Sequence, residues 1–285
     1  MATTKAAKIL VTTPGGKVGS EVAKLLLAKG IAVRIGAHSV EAARKAFPGA
    51  EVVPLDLESE ASVREALAGI SAVYLASPGD WPAAPEKRLI DLAKAAGVKR
   101  IVKLSAIGVE AAGADVPIRQ VEQHLEASGL EFTILRPSWF MQNFTTSMAA
   151  SIKSGILAEP AAEAKTAFID ARDIAAVAFA ALTQDGHAGK IYTLTGPELL
   201  SRTQVTEILS RELGIKVAYA DLTDAQFREG VKPFLHQGYI DLLSLLYGFV
   251  RAGYHERQTG DVKLVLGREP GSFAQFVRDH RGVWA

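Results

Sequence analysis

The segment that most constrains this chain runs from Lys8 to Ala28. A short apolar run, Lys8–Thr12 (KILVT), leads directly into Thr13-Pro14-Gly15-Gly16-Lys17-Val18-Gly19, and a helical pattern begins inside that turn. Val18, Val22, Leu25 and Leu26 fall on one helix face, and Gly30 ends the pattern. Gly16 and Gly19 have the spacing that lets a backbone approach a pyrophosphate and then pack a helix on a sheet. The first turn of that helix offers N–H groups and the positive end of its dipole to an anion. Turn glycines alone are a weak signal. A strand before them and a helix after them supply the context that gives them meaning.

The same alternation continues. Ala32–Ile35, Glu51–Val53, Val73–Ala76, Ile101–Leu104 and Phe132–Leu135 read as short apolar strands. Helical stretches lie between them: one capped by Ser39, then Ser59–Ala68, Pro85–Ala96 and Val116–Ser128. Strands alternating with helices of this length imply βαβ units, and short fully apolar strands imply burial on both faces. With right-handed crossovers the prediction is an α/β fold with a doubly wound parallel (Rossmann) sheet.

After Arg136 the pattern loosens. Asp170–Leu182 reads as a helix and Ile191–Leu194 as a last strand. From Ser201 onward the periodicity is helical, over Gln204–Leu213, Asp221–Gly230, Pro233–Val250 and Ser272–Arg281. The expected organisation is a dinucleotide-binding domain over 1–150, to which 165–196 returns. A smaller, mostly helical C-terminal lobe over 151–285 is expected to carry the substrate cleft.

Charge narrows the functions. Lys and Arg total 32 against 31 Asp and Glu, a formal net charge of +1, which gives no bulk attraction to nucleic acid or an anionic membrane. There is no cysteine, which excludes disulfides, thiolate catalysis and thiolate metal sites. No signal-peptide pattern is seen before the first strand, and Tyr239–Val250 is too short to span a bilayer. The expectation is a cytoplasmic monomer or homodimer that binds a small molecule, not nucleic acid or membrane. The histidines form no H-E-x-x-H pair, so no metal is expected.

The second strand addresses the nucleotide. An acid at its end would hold the ribose 2′-OH of NAD, but Ile35-Gly36-Ala37-His38-Ser39 has none. His38 stands near that position. His38, Ser39, Lys17 and Arg34 are candidates to meet a 2′-phosphate, which points to NADP(H) over NAD(H). No flavin is expected.

The chain resembles the NmrA-like group of atypical short-chain dehydrogenases/reductases, within it the triphenylmethane-dye, azo-dye and quinone reductases. The resemblance rests on Gly15-Gly16-Lys17-Val18-Gly19, Pro54-Leu55-Asp56-Leu57, Leu75-Ala76-Ser77-Pro78 and Ala96–Ser105 (AGVKRIVKLS). It continues through Ser128-Gly129-Leu130, Thr133–Pro137 (TILRP) and Phe140–Phe144 (FMQNF). It implies that the turn, including Thr13, binds pyrophosphate and that Asp56 and Leu57 lie by the adenine. Ala76, Ser77 and Pro78 would follow the ribose and phosphates. Ser105 and the segment from Pro137 to Phe140 would lie near the nicotinamide, with Trp139, Phe140 and Asn143 lining the substrate cleft. The family's first turn glycine is replaced here by Thr13, so the turn is expected to be reshaped by Pro14 rather than held left-handed.

The wider superfamily uses Tyr-x-x-x-Lys to move a proton. None of the six tyrosines has Lys four residues on, and Val116–Ser128 contains neither residue type. The acceptor must therefore take hydride readily, as quinones, azo compounds and cationic dyes do. Trp81, Trp139, Phe140 and Phe144 are candidate flat walls for it. Ser105, at a strand end, is the candidate polar catalytic group. The alternative reading is a non-catalytic NADP(H) sensor that acts through a protein partner.

Overall fold

The structure is a computed structural model and describes residues 8–77 and 82–285. In chain order the first elements are β1 (Ile9–Val11), α1 (Lys17–Ala28), β2 (Val33–Ala37), α2 (Val40–Ala46), β3 (Glu51–Pro54), α3 (Glu60–Leu67), β4 (Ala72–Leu75), α4 (Ala83–Ala95), β5 (Arg100–Leu104), α5 (Pro117–Ala127) and β6 (Glu131–Pro137). There follow α6 (Gln142–Thr145), α7 (Ala149–Lys153), β7 (Ile156–Glu159), α8 (Ala171–Thr183), β8 (Lys190–Leu194), α9 (Arg202–Leu213) and β9 (Ala218–Asp221). The chain ends with α10 (Asp224–Val231), α11 (Gln237–Arg251), α12 (Asp261–Leu266) and α13 (Phe273–Asp279).

Seven strands form one parallel sheet in the order β3-β2-β1-β4-β5-β6-β8. This is the doubly wound order, with the reversal between β1 and β4. Val11 faces both Ile35 and Tyr74 in register, so β1 ends first, with β2 running on to Ala37 and β4 to Leu75. At the far edge, Gly189 N–H donates to Phe132 O and Ser138 N–H to Leu194 O, each at 2.8 Å.

Two compact units divide the chain: Met1–Arg136 with Ile174–Tyr192, and Pro137–Asp173 with Thr193–Ala285. In the first, Leu10, Val73, Ile101 and Ile134 of the sheet pack with Val63, Leu67, Leu89, Ile90, Val121 and Leu125 of α3, α4 and α5. Helix ends follow the glycines read from the sequence: Gly30, Gly69 and Gly97 all have positive φ. Ser59 caps α3 by accepting from Ser62 N–H. Ser39 stands at the N-cap of α2 but makes no side-chain cap bond.

The second unit is mostly helical and adds two short strands that the periodicity did not mark. β7 and β9 pair in parallel, Ile156 with Ala218 through Glu159 with Asp221. Asp221 therefore ends a strand, and the helix expected at Asp221–Gly230 starts at Asp224, where Thr223 and Gln226 form a capping box. The next helix begins at Gln237 rather than Pro233, with His236 accepting from Tyr239 N–H. Its core gathers Phe144, Leu157, Phe168, Leu209, Phe273 and Phe276. Buried Arg202 donates from Nε to Glu159 at 2.8 Å and from Nη1 to Thr166 Oγ1 at 2.8 Å, and Tyr247 donates to the same carboxylate. No helix among the described residues is long and apolar enough to cross a membrane.

Candidate functional site

The glycine-rich turn is tied down by two hydroxyls. Thr12 Oγ1 donates to Ala76 O at 2.9 Å and accepts from Ala76 N–H at 3.0 Å. Thr13 Oγ1 donates to the same carbonyl at 3.1 Å. The turn closes with Gly16 N–H on Thr13 O at 3.1 Å. Among the described residues Ala162 is the one non-glycine with positive φ. Thr13 thus replaces a glycine without left-handed strain. Gly19 is required for a different reason: a Cβ there would lie 2.0 Å from Thr13 O, so only glycine lets α1 pack this close to the turn. At Gly15 a Cβ would meet nothing within 4 Å, which leaves open space over the backbone. Helix α1 starts with Gly16 as N-cap, without a side-chain cap and without an acid in its first turn. A bound anion would therefore meet no competing carboxylate there.

Beside the turn lies a cleft of about 680 Å³, within the range of small-molecule sites. Thr13, Gly15, Gly16, His38, Ser39, Asp56, Leu57, Ala76 and Ser77 all line it, together with Thr12 and the apolar Ala42, Ala46 and Phe47. Lys17, Val18 and Gly19 do not line it. Val18 is buried in the face of α1, and Lys17 opens that helix. Ser105 and Pro137 also lie outside this lining. Pro78 and Trp81 fall outside the described residues. The residues present fit an adenosine diphosphate half: a small-residue cradle next to a helix start, then apolar walls with His38, Ser39 and Asp56 at the rim.

Arg34 is not available to a 2′-phosphate. It binds Glu51 through Nε at 2.8 Å and spends Nη1 on the carbonyls of Ala66 and Ala68, so its guanidinium closes β2 against β3 and the end of α3. His38 and Ser39 remain as the exposed polar groups at the end of β2.

Ser105 follows β5 at the carboxyl edge of the sheet, its N–H on Leu135 O at 2.7 Å. Its hydroxyl donates to Glu122 Oε1 at 2.6 Å. Arg136 holds the same carboxylate through Nε at 2.9 Å and Nη2 at 2.6 Å, and Arg119 adds a bond at 2.8 Å. Burial alone would raise the Glu122 carboxyl, but hydrogen bonds from Arg136, Ser105 and Arg119 hold it below the ordinary carboxylate range. To donate to a substrate, Ser105 would first have to release Glu122.

In the second unit Trp139 stacks obliquely on Tyr247, ring centroids 4.9 Å apart, with His255 edge-on at 6.3 Å. Phe140 bridges Ile169, and Asn143 N–H donates to Phe140 O at 3.1 Å. Trp139, Phe140 and Asn143 remain partly exposed. Phe144 is not a wall: it is fully buried, edge-on to Phe168 at 5.1 Å and Phe273 at 4.9 Å, because α6 turns it into the core. Thr12, Glu122 and Tyr247 were not singled out from sequence. Glu122 and Arg136 did leave a signal, since both are charged residues on otherwise apolar faces of α5 and β6.

Residues 5–256 match the model of the NmrA-like family. Agroclavine dehydrogenase of Claviceps fusiformis is 34% identical over 97% of this chain and 98% of its own. NAD(P)H azoreductase of Xenophilus azovorans is 32% identical over 97% and 99%. The structure of the NADPH-dependent quinone oxidoreductase 2 of Escherichia coli complexed with NADPH superposes with a TM-score of 0.83, at 26% identity over 95% of this chain and 99% of that one.

Proposed function

The chain belongs to the NmrA-like family, and on that premise we propose that it transfers hydride from NADPH to a flat, electron-poor small molecule such as a quinone, an azo compound or a cationic dye. At the coarser level it is an oxidoreductase of the NAD(P)H-dependent reductase type. The observation that carries the reading is the cradle formed by Thr13, Gly15 and Gly16 at the start of α1, opening on a cleft with His38 and no acid at the end of β2. When bound, the nicotinamide supplies the hydride. Gly15 and Gly16 would hold the pyrophosphate, Ala42, Ala46 and Phe47 the adenosine, and His38 with Ser39 the 2′-phosphate.

Helix α5 offers no Tyr or Lys, and the Ser105 proton is engaged by Glu122. The chain's contribution is therefore orientation and exclusion of water rather than proton delivery. Trp139 and Phe140 offer partly exposed aromatic surface suited to a flat acceptor. A quinone or azo anion collects its proton from water, and a cationic dye needs none.

The test is NADPH oxidation with a panel of quinones, azo dyes and triarylmethane cations, followed from pH 6 to 9. Steady turnover without a sharp enzyme-borne pKa is expected. The second reading, a nucleotide-binding regulator, has the exposed Phe234, Leu245, Phe249 and Tyr254 in its favour. Tight NADPH binding with no acceptor reduced would select it.

A further inference from the structure

The carboxylate of Glu122 is fully buried and accepts four hydrogen bonds, from Ser105, twice from Arg136 and from Arg119. Two guanidinium groups on one carboxylate leave no room for a proton on it, so the Ser105–Glu122 bond has one possible direction. The serine gives its single hydrogen inward. A hydroxyl has one donor and two acceptor lone pairs, so what Ser105 has left to offer is acceptor only. Among the described residues no donor reaches Ser105 Oγ.

The position of this hydroxyl narrows its ligand. Leu104 is in register with Leu135, and Leu75 with Lys103, which puts Ser105 at the carboxyl edge just past β5. The strand order reverses between β1 and β4, and a dinucleotide lies across that reversal. The cleft described above lies on the β2–β3 side and suits the adenosine half. The other half then belongs on the β4–β5 side. In that half the donors are the carboxamide N–H and the ribose hydroxyls, and the carboxamide is the one carried by the reacting ring itself.

We infer that Glu122 fixes the Ser105 hydroxyl as a hydrogen-bond acceptor, and that the group it accepts from is the carboxamide N–H of a nicotinamide dinucleotide. This rests on the dinucleotide reading of the site. Ser105 is then a cofactor-orienting contact and not an acid, and Glu122 is its positioning residue, with Arg136 and Arg119 holding Glu122 ionised.

The experiment compares binding of NADP⁺ with its 3-acetylpyridine analogue, in which the carboxamide NH₂ is a methyl group, by calorimetry on the full chain. The wild type should favour NADP⁺ by roughly five- to tenfold, the size of one neutral hydrogen bond. Ser105→Ala should bind the two equally, by weakening NADP⁺ alone. Ser105→Thr keeps the hydroxyl and should restore the preference. Glu122→Gln puts a donor where the carboxylate only accepted and should bring the ratio toward one. The ratio is insensitive to general loosening, because both nucleotides share every other contact. A wild type that binds both equally, or a Ser105→Ala change that weakens both alike, overturns the assignment while leaving the dinucleotide site standing. Failure of the wild type to bind either nucleotide overturns the site itself and this inference with it.

Discussion

Thr12 and Ala76 are joined by one hydroxyl used twice, as donor to the carbonyl and acceptor from the N–H, so the ends of β1 and β4 are closed where the strand order reverses. Thr12→Val keeps the shape but leaves the Ala76 N–H without its partner, while Thr13 still serves the carbonyl. A loss of about 1–3 kcal/mol in urea unfolding is expected, with Thr12→Ser close to wild type.

Two turn glycines should separate folding from binding. Gly15→Ala adds a methyl into open space and should leave the melting temperature unchanged while weakening NADPH at least tenfold by calorimetry. Gly19→Ala drives a Cβ onto Thr13 O and should lower both. Unchanged NADPH affinity in Gly15→Ala would remove the turn from the phosphate site.

NADP(H) should bind more tightly than NAD(H), and His38→Asp should reverse the order by repelling the 2′-phosphate. Arg34→Ala should leave the selectivity ratio unchanged yet cost stability, because its guanidinium ties Glu51 to the carbonyls of Ala66 and Ala68. Parallel titrations of the two nucleotides against both variants read this out.

Trp139→Ala should cut turnover of a small naphthoquinone or an azo dye more than tenfold, at some cost in stability from its lost packing on Tyr247. Phe144→Ala should leave the acceptor site intact but cost more, about 3–5 kcal/mol of stability, through the cavity it leaves among Phe168 and Phe273. Turnover and denaturation of the two variants side by side distinguish wall from core.

Buried His255 contributes a pH dependence. Desolvation, and then the charge of Arg202, lower its pKa, so the folded imidazole resists a proton that the unfolded one accepts near pH 6.5. Its contribution is present above that pH and is lost as pH falls toward the folded value. Melting temperatures from pH 8 to 5 should drop on the acid side, and His255→Phe should flatten that limb.

The first six strands and the turn were legible because buried parallel strands read as short apolar runs, and glycines mark the helix ends that separate them. Strands β7 and β9 were not. Each is four residues, ILAE and AYAD, only partly buried, and each has the other as its partner far along the chain. Local periodicity carries no trace of such a pairing. Within the site, residue types did not tell which side chains were already engaged. Arg34 looked available from sequence because nothing local announces Glu51, and Ser105 looked like a donor because Glu122 lies on another element. Phe144 read as a wall for the same reason, since Phe273 comes from the far end of the chain.

Strand β8 completes the sheet only after the chain has left it at Pro137 and come back through α8. During synthesis, β6 therefore emerges as an open parallel edge with an apolar interior and stays so until Leu194 has cleared the ribosome. Such an edge is a template for pairing with other chains. A product ending near Thr183 would keep that edge permanently, so premature termination in this stretch is expected to yield aggregates rather than a smaller soluble domain.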